Sequence, residues 1–254
     1  MAVSALVGFG VPVALVWWLV KKYNAKIETV LIGAGVFFVF ALVLESLVHM
    51  VVLKGATGEA ITGNIWYYAL YGGFMAALFE ETGRFLAMKL LLRKESSSAV
   101  PGVAYGAGHG GMEMIMVFGL TMVSNLVLSV MINSGQADTI LASAPAEAQE
   151  QVLAQFASLE ALRAGDMLYG IWERFSALII QIGLSLIMWT AVRRGGKWLW
   201  LIPCAFLLHF LVDALVVVLA KSVSMLAVEA IVCALAIAIG AIGWKLGRSL
   251  NAEA

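Results

Sequence analysis

Apolar residues run along this chain in long unbroken stretches, separated by short polar joints. Seven stretches stand out, at about 3–20, 28–53, 65–92, 99–133, 167–192, 198–220 and 223–244. About 20 apolar residues in a helix cross a bilayer core. The runs are continuous and do not alternate, which argues against a closed β-barrel. Only a helix satisfies its own backbone in lipid. The predicted fold class is therefore all-α, a polytopic membrane helical bundle of about seven transmembrane helices, forming one integral-membrane domain over residues 1–254. The fourth stretch is longer than a bilayer requires, so it must tilt, break or project.

Composition supports this reading. The chain is 62% hydrophobic and 13% charged, where soluble domains carry about 25% charged residues. The implied location is the cell membrane, multi-pass, with lipid as an obligate partner. A formal net charge of zero gives no reason to expect nucleic acid. Cys204 and Cys233 both lie in apolar runs and read as small buried side chains. No cysteine pattern suggests a disulfide framework. The first apolar run has no basic residue before it, which favours an uncleaved first span over a removed signal peptide.

Lys and Arg set the expected orientation. Eleven of them, Lys21, Lys22, Lys26, Lys89, Arg93, Lys94, Arg193, Arg194, Lys197, Lys245 and Arg248, fall on one side, against Lys54, Arg163 and Lys221 on the other. The N-terminus is expected outside and the C-terminus in the cytoplasm. The longest joint, about 134–166, then lies outside. Leu153, Phe156, Leu159 and Leu162 recur there at three-residue steps, predicting a short amphipathic helix on the bundle or membrane surface.

The candidate chemistry lies inside the apolar stretches. Glu45, Glu80, Glu81, Glu113, Glu173 and Asp213 all fall there, as do His49, His109 and His209, the only histidines in the chain. At roughly 3 kcal/mol per acid near a helix centre, six would cost on the order of 18 kcal/mol. They must be protonated, paired or bound to a cation, and Arg84 and Arg174 can neutralise two. Ionisable residues within membrane spans are functional candidates by default.

At about 1.5 Å per residue, positions 80, 81, 109, 113, 209 and 213 all lie some 15–22 Å from the cytoplasmic ends of their helices. Three helices thus carry ligand-type side chains to one level. His109 with Glu113, and His209 with Asp213, are spaced i,i+4 and share a helix face. Glu80 and Glu81 point about 100° apart, so one can face the site while the other turns to Arg84. Catalytic zinc sites take three protein ligands and leave a position for water, and a nearby Glu can take that water's proton. A metal such as Zn²⁺ held by His and carboxylate side chains on these facing helices is one reading. A proton-coupled transporter is another, because Asp, Glu and His chains also carry protons. A second polar group, Glu45, His49, Glu173 and Arg174, lies nearer the outside and reads as a lock between the second and fifth helices, or as accessory contacts. Glu229 is most simply a partner for Lys221.

The stretch Tyr105–Met114, YGAGHGGMEM, contains G-x-G-x-x-G. A dinucleotide turn follows a strand and needs an acid about 20 residues on. Here the context is a membrane helix and position 131 is Met, so no nucleotide is expected. The glycines read as clearance, for a neighbouring helix or for a substrate backbone.

Taken in order, FEETGRF, YGAGHGGMEM, WERFSALIIQIGLSL and HFLVD resemble the YhfC family of intramembrane metalloproteases, near the wider superfamily of type II CAAX-prenyl endopeptidases and bacteriocin-processing proteins. The resemblance covers about residues 40–215. It implies a metal-dependent intramembrane endopeptidase acting on membrane-associated polypeptides. On the matching motifs, Glu80 looks like the base, with Glu81 and Arg84 as its support. His109 and His209 look like metal ligands, Asp213 stands where the superfamily has Asn or Asp, and Glu113 is a further ligand candidate. The chain departs from the pattern at Gln181, where the family usually has His. An amide oxygen is a poorer zinc ligand than imidazole. Gln181 could instead orient a water, a ligand or the scissile carbonyl, or it could mark a catalytically impaired scaffold with a relic site.

Overall fold

The chain was analysed as a computed structural model, in which residues 1–251 are described. Among them there is no strand, and helices follow one another through short joints. The long helices are α1 (Ala2–Tyr23), α2 (Ile27–Val52), α4 (Ile65–Leu86, continued by π-helical turns over Ala87–Leu91), α5 (Ala99–Asn133), α8 (Ala164–Arg194), α9 (Leu201–Ser222) and α10 (Met225–Asn251). The short helix α3 (Gly55–Thr62) joins α2 to α4. The long joint between α5 and α8 holds α6 (Ala137–Ser143) and α7 (Gln149–Ala161), neither of which buries a residue.

Six helices among the described residues are long and apolar enough to cross a membrane. The third of the seven expected stretches is helical, as α4, but is not among those six. Its tyrosines Tyr67, Tyr68 and Tyr71 and its charges Glu80, Glu81 and Arg84 dilute its hydropathy. At about 1.5 Å per residue, the 35 residues of α5 would extend about 50 Å, well beyond a hydrocarbon core. Its path changes over Met114–Gly119, a π-helical stretch that starts directly after Glu113. A similar stretch in α2, Phe37–Glu45, ends on Glu45. Such turns insert an extra residue per turn and recur at functional sites.

The joints follow from local chemistry. Asn24 ends α1 in a left-handed conformation (φ 52°), with its N–H on the Leu19 carbonyl. Asn64 starts α4 by accepting from the N–H groups of Trp66 (2.9 Å) and Tyr67 (3.3 Å). Asp166 reaches back to the Arg163 N–H (2.8 Å) at the start of α8, and Gly195, at φ 63°, closes that helix.

Helix α8 is the centre of the bundle and the most deeply buried of the six candidate spans. A helix that is apolar all round is expected to be enclosed, and α8 packs against α10, α5 and α9. Close approach depends on missing side chains. A Cβ on Gly183 would meet the Ile239 backbone of α10 at 2.9 Å. On α5, a Cβ on Gly106 would meet the Ile182 Cα of α8 at 2.8 Å, and one on Gly108 would fall on the Val30 backbone of α2. The glycine-rich stretch therefore serves helix packing on both flanks of His109. The apolar core beneath the polar cluster includes Met88, Leu184, Met188 and Trp189, each fully buried.

Candidate metal centre

Four helices deliver the cluster. Glu80, Glu81 and Arg84 come from α4, His109 and Glu113 from α5, Gln181 from α8, and His209 and Asp213 from α9. The register of α4 against α9 is set at Gly73, where a Cβ would meet the Phe210 carbonyl at 2.7 Å.

The two adjacent glutamates divide as their 100° separation allows. Glu80 Oε2 lies 2.8 Å from His109 Nε2 and 3.8 Å from His209 Nε2. It also accepts from Gln181 Nε2 at 3.0 Å. Glu81 turns the other way. Its Oε1 accepts from Arg84 Nη1 at 2.6 Å and contacts His209 Nδ1 at 2.9 Å. Arg84 is fully buried and also donates through Nη2 to the Gln181 carbonyl oxygen. Arg has no acceptor atom, so the amide oxygen of Gln181 must face it. The Gln181 NH₂ group then faces carboxylates: Glu80, and Glu113 Oε2 at 2.8 Å. One neutral side chain thereby braces two carboxylates and a guanidinium.

His209 Nε2 lies 3.4 Å from Asp213 Oδ2. With its Nδ1 engaged by Glu81, this imidazole can present its Nε2 lone pair towards Asp213 and Glu80, the arrangement by which a carboxylate orients a metal-ligating histidine. His109 is also fully buried, edge-on to Phe37 (5.3 Å between centroids) and stacked on Tyr105 (5.9 Å). Its Nδ1 has no hydrogen-bond partner, and neither does the buried Tyr105 hydroxyl. Sequence reasoning missed Tyr105, although its i,i+4 spacing from His109 is legible.

Glu113 Oε1 pairs with Arg174 Nη1 at 3.1 Å, and Arg174 also pairs with its neighbour Glu173. Glu45 and His49 stand apart from this ion pair. They bond to each other at 3.1 Å, and His49 Nδ1 lies 2.8 Å from the Tyr71 hydroxyl of α4. The expected lock between the second and fifth spans is thus replaced by two separate ties, α2 to α4 and α5 to α8. Tyr71, which sequence reasoning did not single out, turns Glu45 and His49 towards α4. Glu229 is buried with an unpartnered Oε2 and interacts electrostatically with Glu173 and Arg174, so it is not a partner for Lys221.

A cavity of about 260 Å³ opens onto the cluster, lined by Glu80, Glu113, Glu173, Arg174, Gln181, His209 and Asp213 with Val212, Val216 and Val232. A larger apolar groove of about 480 Å³ lies between α1, α2 and α5 and carries none of these groups.

Among the described residues no three His, Cys, Asp or Glu side chains stand as a ready-made metal site. The imidazoles instead bond directly to carboxylates. In kind, however, the donor set suits a divalent cation: two imidazole nitrogens turned towards one carboxylate oxygen, a second carboxylate at 3.4 Å from one of them, and a histidine already oriented by Glu81.

Fold and cluster together define a multi-pass helical membrane protein with a buried histidine–carboxylate centre. The sequence pattern of the YhfC intramembrane metalloprotease family matches residues 3–233, and the chain belongs to that family. It is 38% identical over 196 residues to the membrane protein YhfC of Bacillus subtilis (strain 168), covering 76% of this chain and 74% of that one. No solved structure matches. The family's description carries a metal and a polypeptide substrate with it.

Proposed function

We propose that this protein is a metal-dependent intramembrane endopeptidase with Glu80 as general base, related through its motifs to the type II CAAX-prenyl endopeptidases. The observation that carries the reading is the position of Glu80. Its Oε2 lies between imidazoles from two other helices, 2.8 Å from His109 and 3.8 Å from His209, at the inner end of a cavity.

In this reading His109, His209 and Asp213 hold the metal, most simply Zn²⁺. When bound, it supplies Lewis acidity to water and to the scissile carbonyl. Glu80 takes the proton from the attacking water and returns one to the departing amine. Glu81 fixes the ring of His209, and Arg84 holds Glu81. Gln181 keeps the Glu80 carboxylate aimed at the imidazoles. Glu113 is tied to Arg174 and Gln181, so it supports the wall of the site rather than completing the ligand set.

The proposed topology has seven crossings, with α4 as the seventh. Its polar residues are shielded by α9 and α8, and the N-terminus lies outside. With Glu80, Glu81 and Arg84 buried within the bundle, the outward face of α4 is left to apolar side chains such as Leu70, Phe74, Leu78 and Leu86.

Elemental analysis of protein purified without chelator tests the reading. About one divalent ion per chain is expected, falling to background in His109→Ala and in His209→Ala. Metal retained in both variants would exclude them as ligands. A parent chain with far less than one ion would remove the metal-dependent mechanism.

A further inference from the structure

Side-chain exposure rises steeply in one direction across the cluster. Arg84 is 0% exposed, Glu81 3% and Glu80 8%; Glu113 reaches 16%, Asp213 38% and Glu173 41%. Behind Arg84 the bundle is closed by Met88, Leu184, Met188 and Trp189, all fully buried. The cavity thus opens away from the Lys- and Arg-rich joints.

The exposed acids also mark a depth. Glu173 is nine residues into α8 (164 to 173), and Asp213 is nine residues from the end of α9 (213 to 222). Both helix ends lie on the face that carries α6 and α7, because α8 starts where that joint finishes and α9 runs antiparallel to it. At about 1.5 Å per residue the acids sit roughly 13 Å inside that face. A carboxylate two-fifths exposed at such a depth is costly against lipid, and intramembrane acids face a bundle interior or a water-filled cavity. Water is the medium that fits here.

We propose that the centre is reached through a water-filled vestibule between α8, α9 and α10, open on the face that carries α6 and α7, and that polypeptide is presented to Glu80 from that side. The vestibule stands on exposure, burial and depth alone, and only the polypeptide clause rests on the endopeptidase reading. About 260 Å³ lies below the roughly 300–1,000 Å³ of sites that engulf a drug-sized ligand. The vestibule therefore admits a short extended segment and excludes a folded domain. The substrate segment accordingly enters from the face of α6 and α7, in a stretch that leaves its helix.

Thiol labelling tests the route without requiring any cleavage. Ala177→Cys on α8 and Val216→Cys on α9 both line the vestibule and are placed singly in a Cys204→Ser, Cys233→Ala chain. Ser158→Cys in α7 reports which face is which, and Met88→Cys reports the closed floor. In intact cells and inverted vesicles, a membrane-impermeant maleimide should label Ala177→Cys and Val216→Cys from the same side as Ser158→Cys, and should leave Met88→Cys unmodified. Labelling from the opposite side, from both sides, or by permeant reagent alone would overturn the proposal. Labelling as expected in a chain without bound metal would keep the vestibule and sink the protease.

Discussion

Arg84 offers the sharpest test of how the cluster is held. Its guanidinium is fully buried, with Nη1 on Glu81 at 2.6 Å and Nη2 on the Gln181 carbonyl. In Arg84→Met the methionine occupies much of the same volume, but Glu81 becomes a buried carboxylate with only His209 beside it. Its Oε2 is already without a partner. Breaking a buried ion pair from one side costs about 3–5 kcal/mol. In a chain of this size each kcal/mol moves a melting midpoint by about 2–4 °C, so the expected loss is about 10 °C. The assay is the fraction of protein remaining monodisperse in detergent after heating at one fixed schedule. The double variant Arg84→Met, Glu81→Leu removes both charges and should recover most of that loss, since apolar replacement of a whole buried pair is often close to neutral. It should not recover metal, because His209 loses the carboxylate that fixes its Nδ1. A single variant within about 1 °C of the parent, or a double variant no better than the single one, would refute the assignment of Arg84 as the charge that balances Glu81.

Other outcomes follow from the same geometry. Glu80→Gln should keep bound metal and stability while lowering cleavage of a membrane polypeptide by about 10²–10⁴-fold, the usual worth of a general base; undiminished turnover would reassign the base. Gln181→Leu removes bonds to two carboxylates and to Arg84, and hydrogen bonds to charged groups are worth about 1.5–3 kcal/mol each. A fall in melting midpoint is therefore expected, and no change would show that Gln181 does not brace the site. Gly108→Ala would drive a Cβ into the Val30 backbone and should sharply lower the yield of folded protein. Gly72→Ala meets nothing within 4 Å and should stabilise by about 0.5–1 kcal/mol; similar yields and midpoints for the two would undo the packing account of the glycines. Tyr71→Phe should cost about 1 kcal/mol through the lost His49 contact and leave metal content unchanged; a loss of metal would place the α2–α4 tie within the centre.

Much of this arrangement was legible before any coordinates. The long apolar runs announce helices because lipid leaves the backbone no other partner. Counting residues from each helix end brought Glu80, His109 and His209 to one level, since helical rise is constant. What counting cannot supply is the azimuth of one helix against the next. The i,i+4 rule puts His209 and Asp213 on one face, yet the firmest partner of His209 is Glu81 of α4, a choice made by the α4–α9 contact at Gly73. The same gap sent Glu45 and His49 to the wrong helix and Glu229 to Lys221. Hydropathy leaves α4 out of the six candidate spans for a physical reason: Glu80, Glu81 and Arg84, buried within the bundle, and its tyrosines dilute the apolar run.

Gln181 shows best how the centre differs from a simple set of ligands. A histidine at this position could offer one nitrogen inward and one outward. The amide serves Glu80, Glu113 and Arg84 together, which neither imidazole nitrogen could do without leaving one of the three unsatisfied. Position 181 therefore braces these three side chains. The charges point the same way. Arg84 answers Glu81, and Arg174 answers Glu113 and Glu173. Glu80 and Asp213 are left facing His109 and His209, with no arginine of their own. Two acids without an arginine thus stand beside the two imidazoles that would share a cation with them. Gln181 thus braces the wall that carries Arg174 and leaves both imidazoles to face Glu80 and Asp213.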